Sequence, residues 1–188
     1  DIIKPEEPTF SFEFFPPKSA EASQALYETI KNLSKYKPSF VSVTYGAGGT
    51  TRDLTHDLVL KIKESTDTPP IPHLTCVSHS EAEITSTLDR YAAANIGNIL
   101  ALRGDPPADN NQYDRSQDAF QQAIDLVRHI KSFNESKKQS DPRGFGIGVA
   151  AFPEGHPDTP NRLLEMDYLK AKVDAGADYI CTQLFFDN

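Results

Sequence analysis

The chain has 188 residues, which is long enough for one domain with a sizeable hydrophobic core. Its 27 acidic residues outnumber the 19 basic ones, giving a net charge of -8. That charge argues against a nucleic-acid partner, because phosphate binding requires clustered Lys and Arg. No apolar run approaches the roughly 20 residues of a membrane span, and the start of the chain does not resemble a signal peptide. We therefore expect a cytoplasmic protein without a membrane or nucleic-acid partner.

Six short strand-like runs alternate with longer segments that have helical periodicity. Such an alternation predicts six βα units in one domain, 1–188, and a parallel sheet with right-handed crossovers. The two cysteines, Cys76 and Cys181, lie in apolar runs without CxxC spacing, so we expect both to be buried free thiols. In chain order the runs are TFSFEFF (9–15), FVSVTYG (40–46), PHLTCV (72–77), NILALRGD (98–105), GIGVAAFP (146–153) and YICTQLFFD (179–187).

Two architectures fit these units: an open doubly wound sheet and a (β/α)8 TIM barrel. Polar residues occur near the ends of many strands, whereas an open sheet concentrates its chemistry at one switch point. This distribution favours the barrel. A complete barrel needs about 250 residues, so we expect about six βα units here, with the last two missing. In such a chain the edges at 10–15 and 179–187 are uncovered, which favours self-association into a homo-oligomer.

The run FSFEFFPPK places one carboxylate, Glu13, among four phenylalanines. In an extended strand the side chain of Glu13 points away from those of Phe12 and Phe14. A barrel would therefore place the phenylalanines against the helices and Glu13 inside. A carboxyl enclosed by apolar groups has a raised pKa and suits a general acid. The alternative interpretation is a surface or ion-paired glutamate.

Three further motifs have both a functional and a structural interpretation. In the functional interpretation of LALRGDPP, Gly104 lets a ligand approach the backbone and Asp105 could accept hydrogen bonds from a heterocycle. In the structural interpretation, Arg103 and Asp105 form an ion pair. VTYGAGGTT is more typical of a βα turn than of a phosphate-binding loop. His73 and His156 lack metal-ligand spacing, so we expect no metal site.

Six blocks in register, FSFEFFPPK, FVSVTYGAGGTTRD, PHLTC, ALRGDPP, AAFPEGHP and KVDAGADYICTQLFFD, resemble the flavin barrel of the methylenetetrahydrofolate reductase family. The resemblance extends from Phe10 to Asp187. It implies a TIM barrel that binds FAD at the C-terminal ends of its strands. It also implies that NADH or NADPH reduces the flavin, which in turn reduces 5,10-methylenetetrahydrofolate to 5-methyltetrahydrofolate at the same flavin face.

The resemblance also implies the roles of individual residues. Glu13 matches the general acid that protonates the departing folate nitrogen, Asp105 matches a residue beside both pterin and flavin, and Gln183 matches a side chain that meets folate and nicotinamide in turn. Phe152 stands where the family often has Tyr, and Glu165 where it has Asp. The positions that match the cofactor site are Thr44 (on the nicotinamide side), Tyr45, Ala47, His73, Arg103, Gly104, Asp105, Ala123, Phe152, His156, Glu165 and Lys172.

Two other functions remain open at the level of the sequence. One is a pterin-binding barrel without redox chemistry, against which the Glu13 block and AAFPEGHP argue. The other is a catalytically silent fragment whose open strand edges drive association. Flavin absorbance of the purified protein would separate the reductase from both.

Overall fold

The computed structural model describes residues 8–46, 52–107, 110–136, 139–159 and 161–186. Within these ranges, six strands alternate with five α-helices. The strands are β1 (Ser11–Phe14), β2 (Phe40–Val43), β3 (Pro70–Thr75), β4 (Asn98–Leu102), β5 (Gly146–Ala151) and β6 (Tyr179–Thr182). The helices are α1 (Ala20–Ser34), α2 (Arg52–Ser65), α3 (Glu81–Ala93), α4 (Ala123–Glu135) and α5 (Arg162–Asp174), with a 3-10 turn at Arg115–Gln117.

The strands form one parallel sheet in the order β1-β2-β3-β4-β5-β6. A doubly wound sheet would show a reversal of strand order, where the chain returns to the middle of the sheet. No such reversal occurs among the described strands, and the sheet curls into a half-barrel. The prediction of a partial (β/α)8 barrel is therefore confirmed, with six strands and the five α-helices between them among the described residues.

Alternation along each strand separates an apolar outer face from a more polar inner face. The outer side chains pack with the helices into one buried core that includes Val41, Val43, Leu74, Ile99 and Val149. Phe14 belongs to this core and Phe12 packs against it, as the sequence predicted. The inner side chains line a cavity of about 660 Å³, and Glu13, Ser42, His73, Tyr179 and Cys181 are among them.

Several strands end earlier than predicted, and this places polar residues in the loops at the C-terminal edge of the sheet. β2 ends at Val43, β4 at Leu102, β5 at Ala151 and β6 at Thr182. After β4 the backbone turns at Gly104, whose φ of 80° is incompatible with an extended strand. The residues that follow each strand therefore lie together at one edge, where barrel enzymes hold their active sites.

The two cysteines differ in their environment. Cys76 is buried in the core, and burial raises the pKa of its thiol to about 12. The expectation for Cys181 was wrong, because this residue is exposed on β6. It faces the open cavity rather than the helices. Among the described residues, no helix is long and apolar enough to cross a bilayer.

A buried histidine joins α2 to α3 behind the sheet. His56 is 1% exposed, and its Nδ1 atom lies 2.6 Å from the hydroxyl of Tyr91. Its Nε2 atom lies 3.4 Å from Oγ1 of Thr87. Burial, aided by the nearby Arg90 charge, lowers the pKa of His56 to about 4. The core therefore contains a neutral imidazole, and protonating it in the folded state would cost free energy.

We predict that His56 makes the protein less stable in acid. Between pH 6.5 and about 4 the unfolded chain binds a proton at His56 that the folded chain does not, so the free energy of unfolding falls as the pH falls. The loss from this residue should reach about 3 kcal/mol at the lower end. Urea unfolding of the wild type and His56→Gln at pH 7, 5.5 and 4 measures this loss in the free energy of unfolding. The stability of the wild type relative to the variant should decline with pH, and parallel profiles would contradict the assignment.

Candidate active site

Three inward side chains from neighbouring strands meet inside the half-barrel. Glu13 on β1 is the register partner of Ser42 on β2, and Ser42 Oγ donates a hydrogen bond to Glu13 Oε2 at 3.1 Å. His73 on β3 places Nε2 3.3 Å from the same carboxylate oxygen. That distance suits an ion pair, but the contact does not have hydrogen-bond geometry, and Nε2 has no hydrogen-bond partner among the described residues.

The surroundings of Glu13 correct one expectation from the sequence. Its side chain is 51% exposed in the described part of the chain and is not enclosed by apolar groups. The polar contact with His73 lowers the pKa of the Glu13 carboxyl more than partial burial raises it, and Ser42 also lowers it. The ion-paired alternative is thus the one observed. The phenylalanines that suggested an apolar enclosure lie on the other face of the sheet.

The segment after β4 lies at the C-terminal edge of the sheet. Arg103 does not pair with Asp105. Its Nη2 atom instead donates to Asp158 Oδ2 at 3.2 Å, across to the loop after β5. Asp105 is exposed there. A Cβ at Gly104 would lie 2.8 Å from Cβ of Thr75, so only glycine fits this turn.

The loop after β5 brings two predicted cofactor residues into contact. The rings of Phe152 and His156 meet edge to face, with centroids 4.6 Å apart. The backbone N–H of Asp158 donates to His156 Nδ1 at 3.0 Å. Because Asp158 also binds Arg103, this loop and the segment after β4 form one polar and aromatic cluster at the mouth of the half-barrel.

Helix α5 supplies two further residues from the predicted cofactor set. Lys172 Nζ donates to the carbonyl oxygen of Ala150 at 2.6 Å, and burial lowers the pKa of its amine. Glu165 is 7% exposed and accepts a hydrogen bond from Thr159 Oγ1 at 2.8 Å. Glu165 therefore fixes the end of the loop after β5, and Lys172 reaches the last residues of that strand.

The segment after β2 holds Thr44 and Tyr45. The backbone N–H of Thr44 donates to the Phe14 carbonyl at 3.0 Å, so it continues the ladder beyond the strand. The Tyr45 hydroxyl lies 2.9 Å from His79 Nε2, and burial raises the pKa of Tyr45 above its ordinary value. The ring of Tyr45 thus turns towards the loop after β3. Ala47 lies outside the described residues.

The remaining predicted residues also lie at the C-terminal edge. Ala123 is the first residue of α4. Gln183 follows β6, is exposed, and donates its backbone N–H to the Ala151 carbonyl at 2.8 Å. Among the described residues, no group of three or more His, Cys, Asp or Glu side chains could hold a metal ion.

Four residues of this region escaped sequence reasoning. Ser42 had a usable signal, since it is the polar residue between two valines on a strand beside Glu13. Asp158 and His79 gave none, because their partners are far away in sequence. Arg115 donates from Nη2 to the Gly104 carbonyl at 2.9 Å, while its Nη1 atom is buried without a hydrogen-bond partner among the described residues.

Comparison with known sequences decides the family. The profile described as methylenetetrahydrofolate reductase matches residues 1–188. The chain belongs to the methylenetetrahydrofolate reductase family. Methylenetetrahydrofolate reductase (NADH) 1 of Arabidopsis thaliana is 42% identical over 187 residues, covering 95% of this chain and 30% of the relative. The 5,10-methylenetetrahydrofolate reductase of Escherichia coli (strain K12) is 41% identical over 177 residues, covering 94% of this chain and 55% of the relative.

The chain therefore spans about half of its bacterial relatives and a third or less of its plant relatives. Solved structures with low sequence identity share the fold. Oxaloacetate acetylhydrolase matches with a TM-score of 0.57 at 10% identity, over 98% of this chain and 61% of that chain. A sialic acid aldolase from Ruminococcus gnavus matches with a TM-score of 0.55 at 8% identity, over 95% and 55% of the two chains. At such identities the likeness supports the barrel architecture alone.

We predict that Gly104→Ala destabilises the protein. The substitution places a Cβ on a residue with φ of 80° and within 2.8 Å of Thr75 and Val77 side-chain atoms. Strain and overpacking together should lower the free energy of unfolding by about 2–4 kcal/mol. Gly97→Ala is the matched control, since nothing lies within 4 Å of the position that its new methyl group would occupy, and its stability should change by less than about 0.5 kcal/mol. Equal effects in urea unfolding would contradict the explanation.

Proposed function

We propose that this protein reduces 5,10-methylenetetrahydrofolate to 5-methyltetrahydrofolate, with NADH or NADPH as the hydride donor and FAD as the cofactor. One observation carries the proposal. In a chain of this family, the matched acid Glu13 lies inside the half-barrel beside Ser42 and His73, and most of the other matched residues occupy the strand ends above it. We also propose that the protein is cytoplasmic and forms a homo-oligomer.

The residues at the mouth fit FAD. Arg103 and Lys172 supply positive charge for a pyrophosphate or ribose, and Phe152 offers an aromatic face. The buried Nη1 of Arg115 is a donor that still lacks a partner among the described residues. Bound there, FAD would accept a hydride from the nicotinamide and deliver it to the folate methylene carbon.

The protein's own part in the reaction is to bind the pterin and supply a proton. Asp105, exposed beside Gly104, can accept hydrogen bonds from the amino and ring nitrogens of a pterin. Gln183 offers both a donor and an acceptor at the end of β6. Glu13 would protonate the folate nitrogen as its bond to the methylene carbon breaks, which opens the ring and makes that carbon electrophilic.

The two alternative functions predict different properties. A pterin-binding barrel without redox chemistry would bind folate and lack flavin. A catalytically silent fragment would need to bind neither folate nor flavin. The proposed reductase should purify with the absorbance of oxidised flavin, and that absorbance should bleach when NADH or NADPH is added without oxygen.

We predict that replacing the basic residues at the mouth weakens FAD binding. An Arg103→Ala, Lys172→Ala double variant loses two positive charges, and its FAD content should fall at least about tenfold, in line with the loss of two charged hydrogen bonds. The matched control is Arg128→Ala with Lys170→Ala, which removes the same charges from exposed positions of α4 and α5. Absorbance after gel filtration measures bound FAD. Equal FAD content in both double variants would contradict the placement.

We predict that Glu13→Gln separates the two half-reactions. The change preserves shape but removes the acid, so folate reduction should slow by at least about 100-fold. Flavin reduction by NADH or NADPH should be nearly unchanged, because it needs no proton at the folate nitrogen. Anaerobic stopped-flow of a chain with the complete barrel measures each rate. An equal loss in both half-reactions would assign Glu13 a structural role instead.

A further inference from the structure

The environment of Glu13 raises a question that the proposed function does not answer. A general acid must carry a proton when substrate arrives, yet the contact with His73 lowers the pKa of the Glu13 carboxyl. At neutral pH this carboxyl is therefore ionised in the structure. A proton for the folate nitrogen therefore has to reach Glu13 first, either from solvent or from a neighbouring group.

The groups that face Glu13 limit the choice of donor. Ser42 on β2 donates a hydrogen bond to Oε2, but a hydroxyl is too weak an acid to give up its proton. Cys181 on β6 is an exposed residue, but partial burial of its thiol and the Glu13 charge raise the pKa of that thiol, which makes it a weaker acid. On β3, His73 is the basic group that touches the carboxylate.

The other ionisable groups of the cavity lie lower in the half-barrel. Asp141 and Arg143 precede β5, and Asp178 and Tyr179 lie at the start of β6, so all four line the cavity at its N-terminal end. Asp141 is held by Arg143, whose guanidinium donates to it at 2.8 Å. Asp178 accepts a hydrogen bond from the backbone of Ile147. Asp141, Arg143 and Asp178 therefore already have hydrogen-bond partners.

His73 has the geometry of a proton reservoir. Its residue is 9% exposed, and the buried Nε2 atom has no hydrogen-bond partner among the described residues. Buried polar atoms are nearly always satisfied, so Nε2 is free to take a further partner. Glu13 Oε2 lies 3.3 Å from Nε2, which is close enough for a proton to pass between the two atoms.

We propose that His73 supplies the proton that Glu13 delivers to folate, an inference that rests on the proposed function. In the step that we propose, the Nε2–H bond of protonated His73 breaks and the proton passes to Oε2 of Glu13. Glu13 then gives this proton to the folate nitrogen, which keeps the electron pair of its breaking bond to the methylene carbon. The neutral imidazole regains a proton from solvent. One proton is consumed in each turnover, as the reduction requires, and no other reactant is needed.

Half-reaction kinetics of His73→Gln in the FAD-loaded protein with the complete barrel provide the first test. The variant keeps a polar side chain but cannot carry the proton. Because His73 also matches a cofactor position, both half-reactions are compared per bound FAD, and folate reduction should slow at least about tenfold more than flavin reduction by NADH or NADPH does. The double variant with Glu13→Gln should be no slower than Glu13→Gln alone, because both act on one proton. An unchanged folate rate, an equal loss in both half-reactions, or multiplied effects in the double variant would overturn the relay.

A second test needs neither FAD nor folate. Titration of Glu13 by carboxyl-¹³C NMR should show that His73→Gln raises the pKa of Glu13 towards its ordinary value, because the largest influence that lowers it is gone. Ser42→Ala is the matched control and should raise it less, since Ser42 is the smaller influence. An unchanged titration in His73→Gln would overturn the pairing.

The two tests together separate the relay from the proposed function. If the protein neither binds FAD nor reduces folate, the proposed function fails whatever the titration shows. If folate is reduced and the titration shifts, but His73→Gln reduces folate at the wild-type rate, the function stands and the relay is wrong.

Discussion

The alternation of side chains along parallel strands is the constraint on which the rest of this structure depends. Each strand must bury its outer side chains under helices, so Val41, Val43, Leu74 and Ile99 fill one core. The same geometry forces every second residue inward. Since the pairing of β1 with β2 places Glu13 opposite Ser42, the register that builds the core also builds the polar group inside the barrel.

That arrangement changes what Glu13 can do. An isolated carboxyl in an apolar pocket would hold its own proton, whereas the contact with His73 lowers the pKa of Glu13 and favours its charged form. The sheet holds Glu13 and His73 on separate strands, with β2 between them, so their contact depends on the curvature of the sheet. The acid function proposed for Glu13 is therefore a property of three strands and not of one residue.

The mouth of the half-barrel is built differently, from loops that hold one another. Arg103 after β4 reaches Asp158 after β5, and Tyr45 after β2 reaches His79 after β3. Surface ion pairs such as that of Arg103 contribute little to stability. Their value here is positional, because they bring the strand ends together at the edge where a family of folate reductases is expected to bind its cofactor and substrate.

The sequence by itself determined the barrel class and the family, because strands alternate with helices and six motif blocks follow in order along the chain. It also determined that Glu13 points inward, since strand alternation is a local property. Only the tertiary structure decided which residues Glu13 and Arg103 contact. The sequence pattern around Glu13 reports its phenylalanine neighbours along the strand, and these lie on the opposite face. The groups that set its charge, Ser42 and His73, come from other strands, and the Arg103 partner comes from another loop. Contacts between residues 29 to 60 positions apart depend on register and sheet curvature, which no single segment encodes.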